Sequence, residues 1–522
     1  MSKHSDSEAP TIASDVEKTH TYIGSGTEQD PFVVEFQKDD PSNPMNWSQS
    51  RKWFITAVVA MSVFVVTFAS SAPSSSFQGL IRDLDVSRIE FTLIISLFVL
   101  GFAIGPAFWG PVSELYGRRI QWIVAHIGMI AFFGGSAGSK NIATLSVLRL
   151  LAGIFGASPL VNSGGAIADM FLPAQRGLAM TLYGVAPFVG TTLGPILGGL
   201  ISANAGWRWV YGVCCIAIGV NGVFGAIFVP ETYGPVLLAR KATHLATQDG
   251  QHYISVLEKG QAKKTPSEVF QKALVRPWVF LFLEPIVLVA CIYVAIIFGT
   301  VYLFMGAMPI VFSQGRGWSE ATSGLSFLGM LVGIIAGLAY VVFDNNTRYM
   351  RLSVAKTATP ESRLPPAIIG AVALPVGMFG FAWTNFPSIH WAVCIVLSAP
   401  FGLGCVLVML PITNYLMDSY TVYAASVLAA AAILRSILGA VFPLFTPAMY
   451  QNLGIHWATS IPAFLTLACM PFPFIMHKYG GTLRMKCKYA AEAAEVMRTM
   501  QRQQAAAVVP AASEVRPGTS SD

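Results

Sequence analysis

The chain has 522 residues, of which 54% are hydrophobic and only 11% are charged, about half the charged fraction of an ordinary soluble domain. A soluble fold of this length needs a charged surface, so the long stretches without Asp, Glu, Lys or Arg exclude one. The net charge of +6 indicates no nucleic-acid partner, since basic loops that face anionic lipid headgroups account for it. The seven cysteines show no spacing typical of a disulfide framework or a metal site.

Twelve segments are long and apolar enough to cross a bilayer, which takes roughly 20 residues. Six lie in the first half, near 53–72, 90–112, 120–138, 142–163, 176–201 and 207–229. Six more lie in the second half, near 277–303, 320–342, 365–383, 390–412, 424–446 and 456–476. The sequence therefore predicts an all-α membrane protein with twelve transmembrane helices in two six-helix bundles. The predicted divisions are a tail at 1–52, a bundle at 53–230, a polar linker at 231–276, a bundle at 277–478 and a tail at 479–522.

Lys and Arg concentrate in alternate loops between the predicted spans, as they do in loops that face the cytoplasm. Arg118 and Arg119 follow the second span, the linker is rich in both residue types, and Arg348 and Arg351 follow the eighth span. Both tails belong to the same set, so both termini are predicted to be cytoplasmic. The acidic start of the chain does not resemble an Arg-rich organellar leader, which favours the plasma membrane.

A charged loop follows the second span, with the sequence Gly110-Pro-Val-Ser-Glu114-Leu-Tyr-Gly117-Arg118-Arg119. Charges at a membrane surface are costly unless they are paired. The loop resembles a signature of the major facilitator superfamily, which usually has Asp and a basic residue where this chain has Glu114 and Leu115. By this resemblance Glu114 caps a helix of the opposite bundle, Arg118 pairs with Asp169, and these contacts gate the cytoplasmic side. The alternative is a set of charges that only anchors the loop at the inner membrane surface.

The fourth span contains Arg149 a few residues into an otherwise apolar helix, with Gly153 and Gly156 on the same face. A cation inside a membrane has to face a partner or a water-filled cavity. The pattern is similar to a second signature of the superfamily, in which this arginine is linked to proton coupling. Arg149 and Asp169 are therefore candidates for proton coupling. Snorkelling, or a hydrogen bond between helices, is the structural alternative for Arg149.

The fifth span carries Gly190, Gly194 and Gly198 along one helix face. Small residues at this spacing let helices approach each other closely in membranes. Gly194-Pro195 followed by Gly198-Gly199 is also similar to a signature of antiporters in this superfamily. The resemblance implies export by exchange.

Glu284 precedes Pro285 about eight residues inside the predicted seventh span, roughly 12 Å along the helix axis. Burial at that depth would favour the protonated acid, which makes Glu284 a further candidate for proton coupling. The alternative is a permanently paired structural acid near the cytoplasmic face.

Rare polar and aromatic residues within or next to the spans are candidates for a substrate cavity near the membrane midplane, between the bundles. They are Asn162, Asn221, Tyr293, Tyr302, Asn414 and Tyr415. Arg435, in the eleventh span, is a second buried cation that could meet an anionic substrate or a neighbouring acid.

Further segments along nearly the whole chain resemble the fungal twelve-span drug:proton antiporters. Among them are Asp40-Pro-Ser-Asn-Pro-Met-Asn-Trp47, Pro230-Glu-Thr-Tyr-Gly-Pro and Asp418-Ser-Tyr-Thr-Val-Tyr. In span 7 this chain has Phe298-Gly299 where many members of that group have Tyr-Gly. The resemblance implies a major facilitator fold that uses the proton gradient as its energy source and needs no cofactor.

We expect a monomeric, proton-coupled secondary transporter that exports a drug or secondary metabolite by alternating access. The alternatives are export of an organic acid, and import or facilitated diffusion by the same fold. The sequence contains no Gly-x-x-x-x-Gly-Lys phosphate loop, His-Glu-x-x-His helix or carboxylate pair, which argues against an ATP-driven pump and against an enzyme. A nontransporting nutrient sensor is the remaining class, although neither tail contains a recognisable signalling domain.

Overall fold

The computed structural model describes residues 22–172, 175–259, 265–355, 357–386 and 388–508, and nearly all regular structure in these residues is helical. The helices of the first half are α1 (Gln49–Ser71), α2 (Phe77–Leu84), α3 (Arg88–Tyr116), α4 (Arg118–Ala137), α5 (Ile142–Met170), α6 (Arg176–Ala205) and α7 (Trp207–Phe228). Helix α8 (Gly234–Asp249) follows them in the linker.

The second half contains a comparable set of helices. They are α9 (Pro266–Leu283), α10 (Pro285–Met308), α11 (Glu320–Leu325), α12 (Leu328–Asp344), α13 (Met350–Val354), α14 (Pro365–Trp383), α15 (Trp391–Leu397), α16 (Ala399–Ser419), α17 (Ala424–Cys469), α18 (Pro471–Lys486) and α19 (Lys488–Val508). Two π-helical turns, Pro309–Gln314 and Asn345–Tyr349, continue α10 and α12.

Among the described residues, 11 helical stretches are long and apolar enough to cross a membrane. The last of them, Thr421–Lys486, has 66 residues, more than twice the length that one crossing needs. Within it Gly454 has φ 73° and ψ 169°, a non-helical conformation that favours glycine, so the chain bends there and crosses twice. The prediction of an all-α fold with twelve spans in two six-helix bundles is confirmed.

Local hydrogen bonds explain where several spans begin. At the start of α3 the Ser87 side chain accepts from the Glu90 N–H, and the Glu90 carboxylate accepts from the Ser87 N–H. This reciprocal pair satisfies two backbone donors near the helix start. At the start of α5 the Asn141 side chain accepts from the Thr144 N–H at 2.8 Å. Loss of such a cap typically costs about 1 kcal/mol.

Glycines that face neighbouring backbones hold helices together within each bundle. A side chain at Gly153 of α5 would collide with the Phe98 carbonyl group of α3. A side chain at Gly333 of α12 would collide in the same way with the Ala399 carbonyl group of α16. Lipid provides little hydrophobic driving force between helices, so close van der Waals packing of this kind contributes much of their association.

The tail before α1 packs on the linker at one end of the bundles, which we call the tail end; the opposite end is the far end. Strand β1 (Phe32–Val34) pairs in parallel with β2 (Tyr253–Ser255) of the linker. Lys241 of α8 forms an ion pair with Asp40 at 2.9 Å. Burial raises the pKa of Asp40, but hydrogen bonds from Lys241 and Ser42 outweigh burial and hold that pKa below its ordinary value. The charged form of Asp40 therefore stabilises the contact between tail and linker.

Span 7 is broken where the sequence predicted a continuous helix. Glu284 has φ −114° and ψ 97° and separates α9 from α10. A residue before proline avoids the helical region, and Pro285 has no N–H to continue the helix. The prediction that Glu284 lies eight residues inside a helix was therefore wrong, since it occupies a junction between two helices.

Candidate functional site

Arg149 of α5 lies fully buried in the N-terminal bundle. Its guanidinium donates to three backbone carbonyl oxygens, those of Ala69 at 3.1 Å, Ser70 at 2.8 Å and Ile94 at 3.4 Å. The guanidinium carbon lies 4.2 Å from the ring centre of Phe98, a favourable distance for a cation over an aromatic face. No Asp or Glu among the described residues forms an ion pair with Arg149.

The end of α1 supplies two of these acceptors. Helix α1 ends at Ser71, and the last carbonyl groups of a helix have no partner within the helix. They also form the negative end of the helix dipole. The carbonyl groups of Ala69 and Ser70 can therefore stabilise a buried cation that has no carboxylate beside it.

The same end of α1 is joined to the C-terminal bundle. The hydroxyl oxygens of Ser70 and of Tyr302 on α10 are 2.8 Å apart, and both residues are fully buried. Both Arg149 and Arg435 lie close enough to the Tyr302 hydroxyl to interact with it electrostatically. Tyr302 therefore lies where the two bundles meet and near two cations of the membrane spans, Arg149 and Arg435.

Arg435 of α17 is held differently from Arg149. Its guanidinium carbon lies 5.4 Å from the ring centre of Phe298 on α10. Its Nε is enclosed and has no hydrogen-bond partner among the described residues. Tyr183 of α6 and Tyr302 of α10 interact with the cation through space. Of the residues predicted to line a cavity, Tyr302 and Arg435 are brought together at the boundary between the bundles.

At the far end, Glu320 of α11 connects the two bundles. One carboxylate oxygen accepts from the Gln78 N–H in the first turn of α2 at 2.6 Å. The other accepts from the Ser202 hydroxyl of α6 at 3.3 Å. A negative charge at a helix N-terminus is favourable, because free N–H groups and the helix dipole both attract it. Glu320 therefore holds the far end closed in this conformation.

Helix α2, on which Glu320 docks, is itself fixed to the N-terminal bundle. Asp83 near its end accepts from the Trp207 indole N–H at 2.9 Å and from the Arg208 guanidinium at 2.7 Å. These two hydrogen bonds lower the pKa of Asp83, so its carboxylate stays charged at neutral pH. The contact of Glu320 is thus made with an element that cannot move independently of the bundle.

The glycines of the predicted antiporter signature pack in two directions. Those that face α1 and the turn after it are Gly190, Gly194 and Gly198. Gly199 faces the Glu320 carbonyl group of α11, and Gly324 of α11 faces the Pro195 carbonyl group. The signature therefore contributes a tight contact inside the N-terminal bundle and another between the bundles at the far end.

At the tail end, Arg118 is the centre of a polar cluster. It forms an ion pair with Asp169, in the last turn of α5, at 3.3 Å. It also donates to Ser113 and to Asn162, the latter at 3.4 Å, and lies 4.8 Å from the ring centre of Tyr233. Asn162 therefore belongs to this cluster and not to a cavity between the bundles.

Glu231, just after α7, holds the start of α4. Its carboxylate accepts from the backbone N–H groups of Arg118 at 2.9 Å and Arg119 at 3.2 Å. Gly117 makes room for this contact, since it has φ 92° and a side chain there would collide with Glu231. The sequence analysis did not identify Glu231 as a site residue, and its only signal was an acid at the end of span 6 inside a segment of family resemblance.

Two residues of the predicted gating loop take no part in these contacts. Glu114 is exposed and makes no hydrogen bond or ion pair with any described residue, so the predicted cap on the opposite bundle is absent from this conformation. Ser113 faces inward to Arg118, and the next residue points about 100° further around the helix. A side chain at Gly110 would meet nothing within 4 Å.

The C-terminal bundle contains a matching ion pair at the tail end. Arg363, before α14, pairs with Asp418 at the end of α16 at 2.9 Å. Its guanidinium lies 3.6 Å from the ring centre of Tyr349. Arg176, at the start of α6, interacts electrostatically with both Asp169 and Asp418. Its charge therefore attracts an acid of each bundle, although it forms no ion pair with either among the described residues.

Glu284 is fully buried at the junction of α9 and α10. It accepts from the Tyr420 hydroxyl at 2.7 Å and from the Tyr489 N–H at 2.9 Å. These bonds tie span 7 to the loop after α16 and to the start of α19. The arrangement favours the structural alternative for Glu284, a permanently bonded acid near the tail end.

The remaining candidates for the cavity have other surroundings. The amide oxygen of Asn221 lies 3.2 Å from Nε2 of His126, within the N-terminal bundle. Tyr293 and Tyr415 are fully buried in the C-terminal bundle, and Asn414 is half-buried without a hydrogen bond to any described residue. No group of three or more His, Cys, Asp or Glu side chains in the described part of the chain could hold a metal ion.

The two glycines of the loop provide a matched test of its geometry. We expect Gly117→Ala to lower the unfolding free energy by about 1–3 kcal/mol, because alanine is strained at positive φ and would displace Glu231. Gly110→Ala should be neutral or stabilise by up to about 1 kcal/mol, since position 110 is helical and open. Thermal unfolding of both variants in nanodiscs measures the difference, and equal melting temperatures would contradict this account.

Glu320 provides a test of the far-end contact. In a protein that carries Ser76→Cys, a buried position beside α2, we expect Glu320→Leu to raise the rate of maleimide labelling at position 76 by about tenfold, because a charge-assisted hydrogen bond is lost. Glu320→Gln should raise it less, since its amide oxygen still accepts from the Gln78 N–H. Protein without Ser76→Cys gives the background from the native cysteines. Identical rates with Glu, Gln and Leu at position 320 would show that this contact does not hold the far end closed.

Comparison with known proteins agrees with this arrangement. The family model described as Major Facilitator Superfamily matches residues 59–443. Major facilitator-type transporter sorT of Penicillium rubens is 67% identical over 507 residues, which cover 97% of this chain and 97% of that protein. MFS-type efflux pump MFS2 of Trichophyton rubrum is 51% identical over 485 residues, which cover 92% of this chain and 81% of that protein.

A solved structure shows the same fold at low sequence identity. The proton:xylose symporter XylE, bound to 6-bromo-6-deoxy-D-glucose, superimposes with a TM-score of 0.62 at 17% identity. The match covers 83% of this chain and 96% of the symporter. The chain therefore belongs to the major facilitator superfamily and is a multi-pass membrane transporter.

Proposed function

We propose that this protein is a proton-driven exporter of a small organic molecule, a drug-like compound or secondary metabolite, that works by alternating access. The name of a 51%-identical relative, an efflux pump, supports the direction. The resemblance of Gly194-Pro195 and Gly198-Gly199 to an antiporter signature supports exchange. One chain contains both bundles, so a monomer is sufficient for this mechanism.

Alternating access is supported by the hydrogen bonds that join the two bundles, since they differ from the contacts within each bundle. Glycines pack directly on neighbouring backbones throughout each bundle and, at the far end, between α6 and α11 of different bundles. Across the boundary, the bond between Ser70 and Tyr302 and those of Glu320 can break without unfolding either bundle. A typical hydrogen bond contributes about 1 kcal/mol net, which is small enough for one end to open while the other closes.

Protonation of either of two carboxylates, one at each end of the bundles, would favour the opening of that end. A proton on Glu320 would remove the charge that holds the far end to α2. A proton on Asp169 would remove its ion pair with Arg118 and loosen the tail end. Arg149 would transmit these two protonation steps to the contact between the bundles. It binds the Ser70 carbonyl group at the end of α1, and the Ser70 hydroxyl bonds to Tyr302 of the opposite bundle.

We also propose that the tail end faces the cytoplasm and that the membrane is the plasma membrane. Ion-paired arginines at the tail end include Arg118, Arg363 and Arg484, whereas Arg208 is the one at the far end among the described ion pairs, and the positive-inside rule predicts such an excess at a cytoplasmic face. The substrate would then enter at the tail end and leave at the far end.

The proposal is tested by comparing culture media of the source organism with and without this gene by untargeted mass spectrometry. We expect one compound or a small set to fall in the medium and accumulate in cells of the deletion strain. A strain with Arg149→Ala should behave like the deletion. A strain with Gly110→Ala, the open position of the loop, should export as the wild type does.

A protonophore separates driven export from passive flow in the same strains. If the proton gradient drives export, its collapse stops release of that compound within minutes of addition. Unchanged release would mean facilitated diffusion, and loss of uptake in the deletion strain would mean import; either result contradicts the proposal.

A further inference from the structure

Arg149 is fully buried and Arg435 is half-buried, and the two arginines differ in the hydrogen-bond acceptors that the protein offers them. The three nitrogens of Arg149 each donate to a backbone carbonyl oxygen. No hydrogen bond or ion pair from the guanidinium of Arg435 reaches any described residue, and its Nε is enclosed without a partner. Arg435 is half-buried, and no protein acceptor in the described part of the chain occupies its donors.

A half-buried cation without a protein partner inside a membrane span opposes stability. Removing a guanidinium from water is costly unless acceptors replace the lost hydration, and intramembrane cations accordingly face partners or pathways. A methionine of similar length would pack against Phe298 without that penalty. The arginine at position 435 is therefore better explained by a hydrogen-bond acceptor on a molecule that binds to its guanidinium during transport.

The surroundings of Arg435 come from both bundles. Phe298 and Tyr302 lie on α10 of the C-terminal bundle, and Tyr183 lies on α6 of the N-terminal bundle. Gly439, one turn along α17, packs against Phe298 and against Val99 of α3. This face of α17 therefore lies at the boundary that an alternating-access substrate must reach from either side.

We propose that Arg435 binds the anionic group of the transported molecule, which is a small organic carboxylate with an aromatic body. This inference rests on the proposed transport function and names its substrate class. A guanidinium offers a carboxylate two parallel N–H donors. A planar body could lie against the rings of Phe298 and Tyr302, whose centres are 5.1 Å apart.

A cationic substrate fits this region less well. Arg435 repels a cation, and the buried carboxylates that could attract one are committed elsewhere. Asp169 pairs with Arg118, Glu284 accepts two hydrogen bonds at the tail end, and Glu320 spans the far end. Arg149 adds a second positive charge near Tyr302.

The test uses the full-length protein in nanodiscs and matched pairs of probes, benzoate with benzamide and cinnamate with cinnamamide. We expect calorimetry to show that each acid binds at least about tenfold more tightly than its amide. Arg435→Met should remove this preference while amide binding persists, and Arg435→Lys should retain part of it because the charge remains. Arg351→Met, at an exposed position, is the control and should keep the full preference.

Absence of saturable acid binding, equal affinity for acid and amide, or an unchanged preference in Arg435→Met would each overturn the assignment. The proposed export function is decided separately by the protonophore experiment. Export that collapses with the proton gradient but carries a neutral or cationic compound would overturn the anion site alone. Export that ignores the gradient would overturn proton coupling while leaving an acid preference in nanodiscs intact.

Discussion

A buried arginine without an acid is the constraint on which much of this architecture depends. Arg149 can stay charged inside the N-terminal bundle because α1 ends beside it and presents free carbonyl groups. The same bonds join α1, α3 and α5, and the helix end that they hold carries Ser70. From there a single hydrogen bond reaches Tyr302 in the opposite bundle. The end of α1 thus contacts Arg149 within its own bundle and Tyr302 in the opposite bundle.

The contacts around this centre divide into two kinds. Glycine contacts within bundles, and the contact of α6 with α11 between bundles at the far end, leave no room for side chains, whereas polar contacts between bundles can exchange partners. Glu320 at the far end accepts from a helix start, and at the tail end Arg176 interacts with an acid from each bundle. A transporter that opens at alternate ends needs this distribution, in which two stiff bodies meet through contacts of modest strength.

The sequence predicted the fold well because lipid imposes strong rules on span length and polarity. It also identified the partners Arg118 and Asp169, which lie together in the structure. It could not identify Glu231 or Glu320. Each accepts a hydrogen bond from backbone N–H at the start of a helix that is remote in sequence, and no local sequence pattern indicates such a contact. It misplaced Glu284 because the apolar run continues past Pro285, and hydropathy does not show the break in the backbone that this proline favours. Arg149 and Arg435 each stand alone in an apolar span of the sequence. Only the structure shows that Arg149 has hydrogen-bond acceptors in the protein and that Arg435 has none among the described residues.

The donors of Arg149 bind carbonyl groups of the protein, whereas we infer that those of Arg435 bind the substrate. The most direct measurement is a cryo-electron microscopy structure of the protein with the compound that disappears from the medium of the deletion strain. The account predicts an oxygen of that compound within about 2.7–3.2 Å of the Arg435 guanidinium, with the three carbonyl bonds of Arg149 intact. Density for the compound against Arg149 in place of those carbonyl groups, or at a distance from both arginines, would contradict it.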